Sequence, residues 1–410
     1  MHYKRLLSFI DSASSYLSVG LDVGADFTWM SIALPNGSFV GKPFKIIHSD
    51  PRSRDLAVAK IKEAQETYSL KSRCFLESTG IYHIPLLCFL RDKGFDCSVI
   101  NPIITKNSTN INIRKLHNDK FDSKKAALVG LNVSLKTSII PDDSVVDLRN
   151  LVRDYYYFKD RQSAVALKLT AELKVSFPAY AKVFSKVTIQ SSLKLLSSYP
   201  LPEDMLAASK ENIVDIIRST ARFGEAYALR KYEAIIAAAK DAAVFGRALP
   251  SNAVLIRLYV DTYQEYQKHL DTLLKALHET VEKLQDTLIY DQICLLQSLR
   301  GIGFLSAVVL IAEMGDFKLF SSPKKLYAYF GLDPAVKQSG KLNGDKVHMS
   351  KRGSSLARRI LHMAALNNVK VSKGSGTPVN PVIYDYYTQK RTGKKKPVAM
   401  GAVMHKICNI

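Results

Sequence analysis

The sequence has few of the features that mark secreted, membrane or zinc-binding proteins. Its five cysteines are odd in number and widely spaced, and it contains no CxxC pair and no cluster of histidine and cysteine. Cysteines in apolar runs such as PLLCFL and DQICLL are typical of reduced core thiols in a cytoplasmic protein. The sequence contains no run of about 18 apolar residues, so it predicts no membrane span. The N-terminus reaches Asp11 before an apolar run develops, so we expect no signal peptide.

Acidic residues are scarce relative to basic ones. The chain has 58 Lys and Arg against 37 Asp and Glu, a formal net charge of +21 at pH 7. Residues 331–410 carry 15 basic residues against three acidic ones, so 12 of the 21 net charges lie in this last segment. A solvated basic surface without a partner would also give this composition. The concentration of charge favours a polyanionic partner, bound through neutralised phosphates.

The length of 410 residues and the 47% hydrophobic content are sufficient for two or three domains. The pattern predicts an α/β domain followed by α domains. We expect an α/β domain over residues 1–143, a helical coiled-coil domain over 144–290 with an inserted helical subdomain at about 178–250, and a mainly α-helical domain over 291–410.

The first domain shows strand-like alternation before its helices. Residues 16–47 predict a three-stranded antiparallel meander with a turn at 35–37. The later elements are predicted as a helix at 53–69, a strand ending at Glu77, a helix closed by Gly94, a strand at 96–102 and a helix at 121–134. This order, βββ-α-β-α-β-α, resembles the ribonuclease H-like fold. In that fold, acids on the first strand and at the end of the fourth lie on neighbouring strands.

Four acids in this basic chain are candidate metal ligands: Asp22, Glu77, Asp119 and Asp122. Clustered carboxylates repel one another and are tolerated mainly where divalent cations neutralise them, which predicts a Mg²⁺ site if the four converge. On a helix, Asp119 and Asp122 would share one face. Two alternatives stay open. The pair also suits the first turn of a helix, and the LDVG string at Asp22 resembles the phosphate loop of actin-like ATPases.

Long helices are predicted in the middle of the chain. Apolar residues keep spacings of three and four from Val145 to about Val175 and again from Ile256 to Leu284. The second run has the period of a coiled-coil seam, and antiparallel pairing of 145–175 with 255–288 would leave the inserted subdomain between them. Packing inside a globular helical domain is the alternative. Long exposed helices commonly serve oligomerisation.

A glycine turn begins the last segment. Gly301 and Gly303 lie between two apolar helical stretches and follow Arg300, which resembles a helix-hairpin-helix element that offers backbone amides to a phosphate. A helix C-cap alone would also explain Gly301.

A polar loop with a serine follows. Ser339 lies between Lys337 and Lys341, flanked by apolar segments. A serine hydroxyl is a weak nucleophile until a base, a metal or a cationic pocket activates it. The residues alone do not separate Ser339 from nearby Ser350, Ser354 and Ser355.

Several short motifs occur together in a fixed order. They are E-S-T-G-x-Y at 77–82, Asn101-Pro102, N-D-x-x-D-S at 118–123, Q-S-G at 338–340, S-K-R-G at 350–353 and L-x-R-R at 356–359. Together with Asp22 they resemble the DEDD transposases of insertion sequences. These are relatives of the Piv site-specific invertases and include bridge-RNA-guided recombinases. The family more often has Thr and Ala where this chain has Asn118 and Ser123.

The resemblance implies a RuvC-like catalytic domain in which the four acids hold two Mg²⁺ ions and Ser339 is the covalent nucleophile on DNA. It implies donor and target DNA, a bridge non-coding RNA and a homo-oligomer, dimer or tetramer, as partners, with no membrane. The cell would be prokaryotic and the site of action the nucleoid. The expected phosphate contacts are Arg300, Gly301, Gly303, Lys337, Lys341, Lys351, Arg352, Arg358 and Arg359. Arg358 and Arg359 are adjacent on a predicted helix and cannot share one face.

Three other functions remain open from the sequence. A metal-dependent nuclease or Holliday-junction resolvase would use the same acids with water and without the serine. An actin-like ATPase would need a second phosphate loop, and no convincing one is present. A non-catalytic nucleic-acid-binding scaffold would need none of the acids.

Overall fold

The computed structural model describes residues 15–77, 81–100, 119–132, 142–220, 224–334, 338–339, 342–343 and 348–410. The chain divides into two compact units, Met1–Pro141 and Asp142–Ile410. The sequence placed a boundary two residues later, between 143 and 144.

The first unit is built on a mixed sheet of five strands: β1 (Leu17–Val23), β2 (Phe27–Ala33), β3 (Phe44–Ile47), β4 (Ser72–Glu77) and β5 (Asp96–Ile100). Their order across the sheet is β3-β2-β1-β4-β5. β1 pairs antiparallel with β2 and parallel with β4, β2 pairs antiparallel with β3, and β4 pairs parallel with β5. The predicted meander and the two later strands are therefore confirmed.

Helices cover the two faces of this sheet unequally. One face packs its apolar residues, such as Leu21 and Leu76, in a core with α1 (Pro51–Tyr68) and α2 (His83–Asp92). On the other face the small residues of β1 meet α3 (Asp119–Gly130). Because side chains alternate along a strand, Asp22 shares this second face with the small residues.

Local sequence sets the ends of α1. The Asp50 side chain accepts a hydrogen bond from the Arg52 amide, Pro51 occupies the first turn, and Ser69 ends the helix in the left-handed conformation. Its buried stripe is Ala57, Val58, Ile61 and Ala64.

The second unit begins with two long helices, α4 (Asp143–Ser176) and α9 (Pro250–Glu282). Gln162 donates a hydrogen bond to Gln267 at 2.9 Å, and the ring of Phe158 lies 5.0 Å from that of His269. Asn252 bonds Glu172 near the other end. Positions on α9 rise as those on α4 fall, so the two helices pack antiparallel as predicted. Coiled-coil packing of their side chains stays a prediction.

Short helices lie between these two in the chain and form their own core with them. That core includes Leu169 and Leu173 of α4, Ile256 of α9 and the fully buried Tyr180. The intervening helices are α5 (Gln190–Ser198), α6 (Pro202–Ala207), α7 (Lys210–Thr220) and α8 (Glu225–Phe245), with a 3₁₀ turn at Pro178–Lys182.

The C-terminal part packs around helix α11 (Phe304–Met314), which is buried along most of its length. Leu148 and Val152 of α4, and Leu277 and Val281 of α9, join the same core. None of the described helices is long and apolar enough to cross a membrane. The elements are α10 (Leu288–Ser298), α11 (Phe304–Met314), α12 (Pro323–Tyr329), β6 (Gln338–Ser339), β7 (Leu342–Asn343), α13 (Ser355–Asn368), α14 (Pro381–Gly393) and α15 (Lys396–Cys408).

Candidate active site

Two of the four acids are neighbours on the sheet. β1 and β4 run parallel with Leu21 paired to Leu76, and the next residue on each strand is an acid, Asp22 and Glu77. Register therefore places Asp22 beside Glu77 on one face, as expected for acids on the first and fourth strands.

Close packing of α3 on β1 brings the other two acids to this face. The Ser18 hydroxyl donates to the Ala127 carbonyl oxygen at 2.6 Å, and Ser123 shares a 2.8 Å hydroxyl contact with Ser31 of β2. A β-carbon on Gly20 would lie only 2.3 Å from the Ser123 carbonyl oxygen, so the helix backbone touches the strand there. Asp119 and Asp122, in the first turn of α3, therefore lie beyond Gly20, toward Asp22.

Asp22 interacts electrostatically with the three other acids. Burial raises the pKa of Asp22 to about 7, with further contributions from Asp122, Asp119 and Glu77, while Lys125 acts in the opposite direction. The Lys125 ammonium lies 3.5 Å from an Asp122 carboxylate oxygen, with its side chain 14% exposed. The site thus holds four carboxylates and one largely buried ammonium.

This donor set fits a hard divalent cation. Carboxylate oxygens are the ligands that Mg²⁺ prefers, and a dication would offset both the burial and the carboxylate repulsion that raise the pKa of Asp22. In the described part of the chain, no three His, Cys, Asp or Glu side chains are already spaced as a formed metal centre. Asp119 and Asp122 in the first turn of α3 also interact favourably with the helix dipole, which is a structural contribution of its own. Their role as metal ligands stays a prediction.

A clamped loop base lies in the second unit. The Lys351 amide donates to the Gly331 carbonyl oxygen at 2.9 Å, and the Ser350 amide donates to that of Asp333 at 2.8 Å. The Ser350 hydroxyl also bonds the Asp333 carboxylate. A β-carbon on Gly353 would fall 1.9 Å from the Tyr329 carbonyl oxygen. Residues 331–334 and 348–353 are therefore held side by side, and the chain between them includes Ser339.

Ser339 is described only in its backbone, which pairs with Leu342 in the β6–β7 ladder. The flanking Lys337 and Lys341 lie outside the described residues, as do the segments 78–80 and 101–118 that carry parts of the resemblance motifs. Of the rival serines, Ser350 bonds Asp333 and the Ser354 side chain caps α13.

The predicted phosphate contacts have different surroundings. Arg358 donates to the carbonyl oxygens of Phe330 at 2.9 Å and Gly353 at 2.6 Å. Arg359 pairs with Asp160 at 2.7 Å. Lys351 and Arg352 are exposed at the loop base. A phosphate role for each stays a prediction.

The glycine turn has a structural explanation of its own. Gly301 has φ +85°, and a β-carbon there would meet the Asn368 amide nitrogen at 2.5 Å. Asn368 in turn donates to the Arg300 carbonyl oxygen at 2.7 Å, and the Arg300 guanidinium donates to that of Val379 at 2.7 Å. Gly303 precedes α11 and faces open space. The helix-hairpin-helix interpretation stays a prediction.

Sequence reasoning missed three residues near the acids: Gly20, Trp29 and Lys125. Gly20 lies two residues before Asp22 and so on the same strand face, and Lys125 follows Asp122 by one helical turn. Both spacings are visible in the sequence. Trp29 depends on strand register, since it pairs with Asp22 across β1 and β2.

Acids on two neighbouring parallel strands, faced by acids on a helix, define a class of metal-dependent enzymes that process nucleic acids. Two protein-family models match separate parts of this chain. A model described as Transposase, of the DEDD group of IS110, matches residues 19–178, and a model described as Transposase IS116/IS110/IS902 family matches residues 294–387.

Two individual proteins are also similar. The insertion element IS900 uncharacterized 42 kDa protein of Mycobacterium paratuberculosis is 26% identical over 301 residues, which cover 71% of this chain and 70% of that protein. Sinorhizobium fredii (strain NBRC 101917 / NGR234) has a protein, y4qE, named as a candidate transposase. It is 30% identical over 123 residues, 28% of this chain and 31% of that protein.

The chain belongs to the IS110 family of DEDD transposases. Membership implies a ribonuclease H-like fold for the first unit, use of a divalent metal, DNA as a partner and an activity that cuts and rejoins DNA. The actin-like ATPase and the non-catalytic scaffold are thereby set aside.

Proposed function

We propose that this transposase cuts and rejoins DNA through a composite site made of the four acids and Ser339. The main support for a metal site at the four acids is the electrostatic environment of Asp22, whose pKa is raised by burial and by the three other carboxylates. Such a grouping is stable in the ionised state only with a cation present.

Asp22, Glu77, Asp119 and Asp122 would hold Mg²⁺, and two ions are proposed. When bound, the metal supplies Lewis-acid polarisation of a phosphoryl oxygen and stabilises charge on the leaving oxygen. Rigid strands position the carboxylates of Asp22 and Glu77 around the metal, whereas the first turn of α3 positions those of Asp119 and Asp122. Lys125 compensates part of the carboxylate charge at Asp122.

Ser339 would act as the nucleophile. Its oxygen forms a bond to the scissile phosphorus, the bond from phosphorus to one DNA oxygen breaks, and the serine proton is transferred overall to that departing DNA hydroxyl. The phosphoserine ester conserves the phosphodiester energy until a hydroxyl of a second strand reverses the step. The clamped loop base would fix the ends of the segment that contains Ser339, and the engagement of Ser350 and Ser354 in structural bonds supports this choice.

A bridge RNA is the proposed guide to donor and target DNA, bound by shape and phosphate contacts on the basic surface. The antiparallel pair of α4 and α9 is the proposed oligomerisation element, in a dimer or tetramer that could place the acids of one copy beside Ser339 of another. The turn at Gly301 and Gly303 is proposed to bind phosphate as a helix-hairpin-helix element. The cytoplasm of a prokaryotic cell, at the nucleoid, is the proposed location.

The test is trapping of a covalent protein–DNA adduct. Full-length protein is incubated with its element DNA and co-purified RNA, then denatured and resolved by mass. Wild type should give an adduct whose phosphopeptide contains Ser339, and Ser339→Ala should give none and no strand exchange. Asp22→Asn should also abolish the adduct, because the phosphorus is then not polarised.

The nuclease or resolvase alternative predicts a different pattern. If Ser339→Ala retains full strand cutting and exchange and wild type never forms an adduct, water is the nucleophile and the serine mechanism is wrong. If recombination proceeds without RNA, guidance is wrong although the recombinase activity stands. Ser372, a serine outside the loop, serves as the matched alanine control.

A further inference from the structure

Strand register aligns an unusual row of side chains next to the acids. Trp29 pairs with Asp22 on one side and with Lys45 of β3 on the other. Because directly paired residues share a face, the row across the sheet reads Lys45, Trp29, Asp22, Glu77. An aromatic ring and a cation thus lie immediately beside the candidate metal ligands.

Cations and aromatic rings are closely associated along this edge. The Lys120 ammonium, from the first turn of α3, lies over the Trp29 ring at 4.7 Å from its centroid. Lys45 lies over the Phe27 ring at 3.9 Å, and Phe27 has the same strand parity as Trp29. Both rings are partly exposed, and Lys45 is exposed.

The unequal covering of the sheet leaves this edge accessible. α3 packs over Ser31 and Ala33 of β2, and Lys120 of its first turn lies over the Trp29 ring. On β3, Lys45 and Ile47 of the same face are exposed. A purely structural role for Trp29 would favour burial under apolar neighbours, yet its ring has a lysine over it.

Energetics favour exchange of that lysine for a base. A base stacked on an aromatic side chain contributes more binding free energy than a cation–π contact does at an exposed site. A base could therefore displace the Lys120 ammonium from the ring, and the ammonium could then pair with the phosphate of the same nucleotide.

We propose that Trp29, with Lys120 and Lys45, forms a binding subsite for an unpaired nucleotide adjacent to the phosphate held at the acids. The base stacks on Trp29, and the two lysines contact phosphates on either side. The subsite reads no base identity, because every base has a stacking face. It would hold the strand in line with Asp22 and Glu77, and it rests on the proposed role of those acids.

The chain offers a direct reporter, because Trp29 is its single tryptophan. Full-length protein in EDTA is titrated with an unpaired DNA oligonucleotide of about 12 nucleotides, and with an abasic strand of equal length. Tryptophan fluorescence should be quenched saturably by the base-containing strand and much less by the abasic one. An RNA strand of the same length in parallel shows whether the DNA or the guide occupies the subsite.

Variants separate stacking from general affinity. Wild type should prefer the base-containing over the abasic strand by about 5-fold or more. Trp29→Ala should lose most of this preference, and Trp29→Phe should recover part of it. Lys120→Gln should lower the salt slope of binding by about 0.7, the value for one phosphate contact on a single strand.

Lys60→Gln is the matched control, since Lys60 lies over the Phe44 ring at 5.4 Å on the opposite face of the sheet. It should leave both the salt slope and the base preference unchanged. Unaltered fluorescence at saturation, or a Trp29→Ala variant that keeps the wild-type base preference, would overturn the proposal. Asp22→Asn should abolish cutting but retain quenching, so a failure of the catalytic proposal is distinguishable from a failure of this one.

Discussion

Gly20 of β1 lies against the backbone of α3 at Ala127, where a β-carbon on Gly20 would fall 2.1 Å from the Ala127 amide nitrogen. No side chain larger than hydrogen fits between strand and helix at that point. The same seam continues at Gly130, where a β-carbon would meet the Phe75 ring at 2.3 Å. The two glycines, which have no side chain, thus set the distance of α3 from the sheet and, with it, the separation of Asp22 from Asp122.

Substitution of Gly20→Ala should therefore damage the acid site as well as the fold. The added methyl must push α3 away from β1, at a cost of about 1–3 kcal/mol. Mg²⁺ binding, followed by calorimetry, should weaken more than the loss of stability explains. Gly401→Ala in α15 is the control, because nothing lies within 4 Å of a β-carbon there and alanine is favoured over glycine in a helix. Equal Mg²⁺ affinity in Gly20→Ala and wild type would contradict this account.

The raised pKa of Asp22 predicts an inverse pH dependence of stability in metal-free protein. With a pKa of about 7 in the folded state against an ordinary 3.8, folded protein binds a proton between these values that the unfolded chain releases. Stability should fall as pH rises from about 4 to about 7 and then level off. Asp22→Asn should flatten this slope and melt at least about 2 °C higher than wild type at pH 8. Thermal melts of both proteins in EDTA across this pH range measure the effect. If Asp22→Asn keeps the wild-type dependence of melting temperature on pH, Asp22 is not its source.

Arg358 is expected to stabilise the loop base. Its guanidinium satisfies the carbonyl oxygens of Phe330 and Gly353, so Arg358→Ala should cost about 1–3 kcal/mol by leaving them without a donor. If Arg358 contacts no phosphate, the salt slope of DNA binding stays at the wild-type value. A slope lowered by about 0.9, the value for one phosphate on duplex DNA, would show the phosphate contact that the family motif suggests. Arg352→Ala, at an exposed site nearby, is the comparison for a phosphate-binding arginine.

Substituting Arg153 in its ion pair with Glu313 should destabilise the protein more than substituting Glu313. Glu313 is buried, with its side chain 3% exposed, and Arg153 bonds it at 2.8 Å. Burial alone would raise the pKa of Glu313, but hydrogen bonds from Arg153 and Ser354 hold it below its usual value. Arg153→Met should therefore destabilise by about 3–5 kcal/mol, because a buried charge loses its partner.

Glu313→Gln should cost less than Arg153→Met, because it removes the buried charge itself. Since the pKa of Glu313 is lowered on folding, its contribution to stability is present above about pH 4.5 and is lost as pH falls through the folded value. Denaturant unfolding at pH 7 and pH 3 measures both effects. Equal losses for the two variants would contradict the asymmetry.

Much of the first unit could be predicted from local pattern. Alternation along 16–47 and the turn at Gly37 specify the meander. The parallel pairing of β1 with β4, which makes Asp22 and Glu77 neighbours, follows from no local pattern and is implied only by the resemblance of the element order to the ribonuclease H-like fold. The predicted helix at 53–69 is confirmed as Pro51–Tyr68, because its capping residues and apolar stripe are adjacent in sequence. The third helix begins earlier than predicted, at Asp119, so that both acids lie within its first turn.

The sequence by itself determined the order of elements, the candidate acids and the basic charge, since these depend on residues that are near one another or on simple composition. Tertiary structure alone decided that Gly20 seats α3, that Arg358 reaches Phe330 and that Trp29 stands beside Asp22. Each of these depends on a contact between residues distant in the chain or on the register of two strands. A one-residue slip in register would turn Trp29 to the other face, so no local pattern could have fixed its position.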